Sequence, residues 1–94
     1  MMTGRIQIIF HATFREITRK RKIIQKISEE CTFSKILTDL AKKYGNDFND
    51  VIDPQTDKIS NDLLVMLNGK IIRDIQEKIK DKDVLIFSLP VGGG

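Results

Sequence analysis

The chain ends with a hydrophobic stretch that runs directly into glycines: Val84-Leu85-Ile86-Phe87-Ser88-Leu89-Pro90-Val91-Gly92-Gly93-Gly94. Its apolar part predicts a strand, with Leu85 and Phe87 facing a core and Ile86 on the opposite face. The glycine triplet has no side chains to bury and loses much backbone entropy on ordering, so packing does not require it. Residues 90–94 are therefore predicted to form a flexible tail, which is either a frayed terminus or a functional element.

Length and composition fit one small folded domain, predicted at residues 1–89. The 94 residues are 40% hydrophobic and 31% charged, which argues against disorder. A net charge of +3 without tryptophan does not favour a nucleic-acid-binding protein. No apolar run reaches membrane-spanning length and no signal peptide is apparent, so we expect a cytoplasmic protein without nucleic-acid or membrane partners. Cys31 is the single cysteine, which excludes an intramolecular disulfide and a cysteine-based zinc site.

The N-terminal part predicts a β-hairpin. Hydrophobic and polar residues alternate from Arg5 to Phe14, as in a half-buried strand, and Ile23 to Ile27 resembles a second strand. The intervening residues, 15–22, are read as a charged hairpin tip. Its basic cluster Arg19–Lys22 is interpreted as a solvated strand end, with contact to an acidic partner or to nucleic acid as the alternative.

The hydrophobic period then changes to that of an amphipathic helix. Apolar residues recur at helical spacing on one stripe: Phe33, Ile36, Leu37, Leu40, Ala41 and Tyr44. Thr32 or Ser34 is suited to cap the start, and Gly45 to end the helix. The polar segment Asn46–Asp62 predicts a short helical turn and a loop.

The remaining segments predict three strands. The apolar run Leu63–Leu67 meets Asn68-Gly69, a strong hairpin signal, and a short return strand follows. Lys78–Asp83 is read as a charged turn before the final strand. No βαβ repeat is present, so the sequence predicts an α+β domain with a mixed sheet of four to five strands and one main helix on one face.

The chain resembles the ubiquitin-like β-grasp sulfur carriers, and most of all the small subunit of molybdopterin synthase. The resemblance rests on motifs in a fixed order along the chain: Ala12-Thr13-Phe14-Arg15-Glu16-Ile17, Thr32-Phe33, Val65-Met66-Leu67-Asn68-Gly69, Asp81-Lys82-Asp83-Val84 and Pro90-Val91-Gly92-Gly93-Gly94. Two positions depart from the family: Lys82 stands where glycine is usual, and Gly92 where alanine is common.

The resemblance implies a function for the tail. A ubiquitin-activating-type adenylyltransferase would adenylate the Gly94 carboxylate with ATP and magnesium, and a sulfur source would then displace AMP to leave a thiocarboxylate. The large subunit of molybdopterin synthase would receive the sulfur. Pro90, Val91, Gly92 and Gly93 would thread the partner's channel, and the chain itself would bind no cofactor or metal.

The open face of the sheet is predicted to dock these partners. If the strands are ordered as in the family, Ile86 lies near Ile9 and Met66 and forms an apolar patch beside the tail. His11 with Cys31 is the one conceivable nucleophile pair, and we interpret Cys31 as structural. Other functions remain open: a protein modifier joined to target lysines through Gly94, a carrier for thiamin or tRNA thiolation, and an interaction module without tail chemistry.

Overall fold

The computed structural model describes residues 3–90, which form strands and helices in the following order. They are β1 (Gly4–Phe10), α1 (Ala12–Thr18), β2 (Lys22–Ile27), β3 (Cys31–Thr32), α2 (Phe33–Tyr44), a 3-10 helix (Asn46–Val51), β4 (Ile52–Asp53), β5 (Lys58–Ile59), β6 (Leu64–Leu67), β7 (Lys70–Ile71), β8 (Lys78–Ile79) and β9 (Val84–Ser88). No helix among residues 3–90 is long and apolar enough to cross a membrane.

The main sheet has five strands in the order β2-β1-β9-β6-β7. The first and last strands of the chain, β1 and β9, pair in parallel at its centre, and the other neighbours are antiparallel. Because β9 has a partner on each side, its register is fixed twice. The predicted α+β class with a mixed sheet and one main helix is confirmed.

Helix α2 covers one face of this sheet and spans the predicted residues. Thr32 is the N-cap, since its side-chain oxygen accepts a hydrogen bond from the Lys35 amide. Gly45 ends the helix with φ 109°, a conformation that favours glycine. The buried side of α2 consists of Phe33, Ile36, Leu37 and Leu40, which belong to the same core as the inward residues of β1 and β9.

The two predicted N-terminal strands pair antiparallel as β1 and β2, but the predicted extent and connection were wrong, because β1 ends at Phe10 and α1 replaces the charged tip. Ala12 has φ 52°, which turns the chain out of the sheet, and Phe14 and Thr18 are buried one helical turn apart. Phe14 satisfied both the two-residue period of a strand and the inner face of a helix, so alternation alone was misleading. The helix ends at Arg19, whose φ is 61° and whose amide donates to the Arg15 carbonyl.

The segment Lys78–Asp83 is also more than a charged turn. Lys78 and Ile79 form β8, which pairs with β3 at the start of α2, and Ile79 is buried in the core. The turn itself contains Lys82, whose φ of 72° lies in the left-handed region. This conformation gives a physical reason for the glycine that is usual at this position in the family. The loop predicted in 46–62 likewise includes the small hairpin β4-β5.

Candidate functional site

Strand β9 delivers the C-terminal residues to one end of the sheet, and its inward side chains anchor it firmly. Leu85 and Phe87 are both 0% exposed, as predicted for the core side. The Phe87 ring lies 5.4–6.0 Å, centroid to centroid, from four other rings: Phe10, Phe14, Phe33 and Phe48. Aromatic contacts at these distances stabilise beyond the area they bury, so the end of β9 is held rigidly.

The outward side of β9 carries the predicted apolar patch. Ile86 is in register with Ile9 of β1 on one side and with Met66 of β6 on the other. All three are partly exposed and lie on the face opposite α2. The structure therefore brings these three predicted residues together in one row across the centre of the sheet.

Sequence reasoning missed the residue that extends this row. Ile71 of β7 pairs with Met66 and is 57% exposed, so the apolar row runs through four adjacent strands. The signal was present in the sequence. A two-residue turn at Asn68-Gly69 fixes the register Leu67 to Lys70, and the next pair is then Met66 with Ile71.

The base of the tail leaves the surface directly after this anchored strand. The His11 amide donates a 2.9 Å hydrogen bond to the Phe87 carbonyl, which continues the β1-β9 ladder to its end. Leu89 still packs against the core, whereas Pro90 is exposed. The predicted site residues Val91, Gly92, Gly93 and Gly94 lie outside the described residues, and their roles stay predictions.

A side-chain network fixes the other end of β9. The Asn68 side-chain amide donates to the Asp83 carboxylate at 2.9 Å, while its oxygen accepts from the Val84 amide at 2.9 Å. Asp83 also accepts from the Lys80 amide at 2.8 Å. Asn68 itself has φ 53° and Gly69 has φ 87°, as the tight hairpin turn requires. The hairpin therefore sets where β9 begins.

Cys31 has the properties of a structural thiol. It is buried, and burial raises the pKa of its thiol, with the Asp39 charge acting in the same direction and Lys35 opposing it. A raised pKa leaves less of the reactive thiolate at neutral pH. Among residues 3–90, no group of three or more histidine, cysteine, aspartate or glutamate side chains is placed to hold a metal ion. The open sheet face with Ile9, Ile86 and Met66 is thus the strongest candidate site in this part of the chain.

These features define a ubiquitin-like β-grasp domain, and comparison with known proteins agrees. The chain belongs to the ThiS family, which matches residues 8–94. No curated protein matches the chain.

Three solved structures illustrate the fold similarity. A putative molybdopterin converting factor subunit 1 from Pyrococcus furiosus is 18% identical, with a TM-score of 0.73 over 94% of this chain and 99% of that one. Small archaeal modifier protein 1 from Methanosarcina acetivorans is 21% identical, with a TM-score of 0.72 over 100% of both chains. A chain in the complex of molybdopterin-converting factor subunits 1 and 2 from Helicobacter pylori is 19% identical, with a TM-score of 0.62 over 96% and 99%. The chain is therefore a ubiquitin-like sulfur carrier or modifier by family.

Proposed function

We propose that this chain is the sulfur-donating small subunit of a molybdopterin synthase. The observation that carries the proposal is the arrangement of β9: this central strand is anchored in the core, precedes the Gly-Gly end in sequence and carries an apolar row on its open face. A rigid base and a side-chain-free tail suit a group that must reach into another protein's active site. The family match supports the carrier chemistry of that end.

The chemistry takes place at the carboxylate of Gly94. In the partner adenylyltransferase this carboxylate attacks the α-phosphate of ATP, and pyrophosphate leaves. A sulfur donor, such as a persulfide, then attacks the acyl carbon of the adenylate and AMP departs. Reductive cleavage of the sulfur–sulfur bond by a thiol leaves the C-terminal thiocarboxylate. Absence of Cβ atoms at Gly92, Gly93 and Gly94 lets the tail occupy a narrow channel and adopt backbone angles closed to other residues.

The row Ile9, Ile86, Met66 and Ile71 provides the docking surface in this proposal. Its members are partly or largely exposed in the free chain, although they are large hydrophobic side chains. Exposed apolar clusters of this kind commonly mark interfaces. Because Ile86 is four residues from Pro90, binding at the row places the start of the tail at a fixed position relative to the partner. The same row would serve the adenylyltransferase and the synthase large subunit in turn, since both must hold the tail.

Intact-mass spectrometry tests the proposed modification. The full chain is incubated with a ubiquitin-activating-type adenylyltransferase, ATP, magnesium, a persulfide donor and a thiol that reduces the acyl disulfide. We expect the mass change that corresponds to replacement of one oxygen by sulfur, localised to Gly94 by fragmentation. A chain without Gly92–Gly94 is the matched control and should remain unmodified. An unchanged mass with several such enzymes would contradict the carrier function.

A protein modifier is the second candidate, favoured by the fold shared with small archaeal modifier protein 1. The activated Gly94 would then acylate a lysine amine and release AMP, with no sulfur in the product. Extracts of cells that express a tagged chain distinguish the two functions. Isopeptide-linked conjugates that disappear when Gly92–Gly94 are removed indicate a modifier. An unconjugated chain that bears a thiocarboxylate, and that supports molybdopterin formation when it is added to the isolated large subunit, indicates the sulfur donor.

A further inference from the structure

Within residues 3–90, strand β2 is the long free edge of the sheet. It is the outermost strand and spans six residues, Lys22–Ile27, whereas the strand at the opposite edge, β7, has only two. A free edge presents unpaired backbone donors and acceptors, which form a template for another strand.

The register of β2 identifies which backbone groups are free. The Phe10 amide donates to the Arg21 carbonyl at 2.8 Å, so this pair is a hydrogen-bonded pair of the antiparallel ladder. Such pairs alternate along a ladder, and Ile23, Gln25 and Ile27 therefore exchange hydrogen bonds with β1. The N–H and C=O groups of Lys22, Ile24 and Lys26 point away from the sheet.

The side chains of these same three residues point to the open face of the sheet, where all are exposed. Ile24 is 57% exposed, which makes it one of two large hydrophobic residues so exposed in residues 3–90. Lys22 and Lys26 flank it at two-residue spacing. At the start of the strand, Arg15, Arg21 and Lys22 line an open depression of about 550 Å³, which adds positive charge there.

Charge disfavours the pairing of β2 with β2 of a second copy of the chain. Antiparallel pairing of two β2 strands centred on Ile24 would place Lys22 of each copy opposite Lys26 of the other. Parallel in-register pairing would set each lysine beside its equivalent. Like charges placed directly opposite each other across strands are destabilising, so these two registers are disfavoured.

We propose that the β2 edge binds an extended acidic segment of a partner protein by strand addition. The segment supplies backbone groups to Lys22, Ile24 and Lys26, and its side chains on the open face follow the order acid, apolar, acid at two-residue spacing. The central apolar side chain covers Ile24, and the acids pair with the two lysines. This surface is separate from the Gly94 chemistry, and its function does not depend on the proposed sulfur transfer.

Synthetic peptides test the proposal directly. The probe is a nine-residue, β-prone peptide that carries glutamate, isoleucine and glutamate at alternate central positions. Titration into the ¹⁵N-labelled full chain should shift the amide signals of residues 21–27 in a saturable manner. The same peptide with lysine for glutamate should bind at least about tenfold more weakly. Methylation of the peptide amides that face β2 should abolish binding, whereas methylation of the alternate amides should not.

Matched variants of the chain locate the contact. The Lys22→Glu/Lys26→Glu variant should lose about tenfold or more in affinity for the glutamate peptide and gain affinity for the lysine peptide. Lys78→Glu/Lys80→Glu makes the same charge change on two exposed lysines elsewhere, and it should alter affinity less than about threefold. A chain that lacks Gly92–Gly94 should bind like the wild type, which separates this surface from the carrier function.

Three results would overturn the proposal. Equal binding of the glutamate and lysine peptides would remove the charge recognition, and signals that shift mainly around Ile86 would place the contact on the docking row instead. Absence of binding by any of the peptides at millimolar concentration would mean that the lysines serve only to keep the edge unpaired.

Discussion

The two faces of β9 carry side chains of similar chemistry in opposite situations. Leu85 and Phe87 are completely buried beneath α2, whereas Ile86, between them in sequence, lies partly exposed on the open face. Leu85 and Phe87 pack in the core of the chain itself, so their burial does not require a partner protein. The outward residue has neighbours of its own kind on both sides and no layer above them within the described chain. If the open face docks partners as proposed, alternate residues of β9 contribute to folding stability and to binding, respectively.

The largest expected effect comes from truncating the buried face. Phe87→Ala removes the ring that four other aromatic rings contact, and it should lower the free energy of unfolding by about 3–5 kcal/mol. Urea denaturation followed by circular dichroism measures the change. Leu89→Ala, at a partly buried position on the same side, is the control and should cost clearly less. A Phe87→Ala protein with nearly wild-type stability would show that the aromatic cluster does not hold β9.

The corresponding change on the open face should affect binding and leave the fold intact. Ile86→Asp should weaken binding to the adenylyltransferase by about 2–4 kcal/mol, as for an interface hot spot, with little change in melting temperature. Calorimetric titration and thermal denaturation measure the two effects. Ile24→Asp lies on the same face but on the outer strand, and it should bind the enzyme like the wild type. An unfolded Ile86→Asp protein would refute the separation of the two faces.

Both faces of β9 could be predicted from the sequence because successive side chains of a strand point to opposite faces, and the larger set, with Leu85 and Phe87, is assigned to the core. The helix α2 was equally predictable, since its apolar stripe persists over three turns and Thr32 and Gly45 mark its ends. The row partners Ile9 and Met66 required the strand order, which alternation does not contain. That order came from the resemblance to the family.

The stretch from His11 to Arg21 shows where local patterns fail. Its helix has only seven residues and no side-chain cap at its start, so the sequence offered neither a long apolar stripe nor a capping residue from which to predict it. Phe14 fits both the two-residue period of the preceding strand and the buried face of the helix. The pairing of β3 with β8 could not be predicted for a related reason. A strand of two residues is too short to show a hydrophobic period, and this pairing is a long-range contact between Cys31 and Ile79.

A moderate effect is expected at Cys31, on the buried side of the fold. Cys31→Ala should lower the free energy of unfolding by about 1 kcal/mol and leave sulfur transfer intact. Because burial raises the thiol pKa, the folded state retains the proton where the unfolded chain loses it. The wild type should therefore lose stability relative to Cys31→Ala as pH rises above about 8.5. Denaturation curves at pH 7 and pH 9.5 measure this difference. A constant difference between the two proteins would contradict the pKa shift, and lost sulfur transfer in the folded variant would reveal a thiol step.

The smallest effect on the free energy of unfolding should come from removing the hydroxyl group of Tyr44. Its ring packs edge-on against Phe10 at 6.2 Å, but its hydroxyl is buried without a hydrogen-bond partner among residues 3–90. Tyr44→Phe keeps the ring contacts and removes an unsatisfied polar group, so it should raise the free energy of unfolding by up to about 1 kcal/mol. Tyr44→Leu is the control: it also removes the hydroxyl but loses the aromatic contacts, and it should destabilise the fold. Urea denaturation of the three proteins side by side measures both signs. A destabilising Tyr44→Phe would contradict this prediction. It would indicate that the hydroxyl group forms a stabilising hydrogen bond, for example to an ordered water molecule.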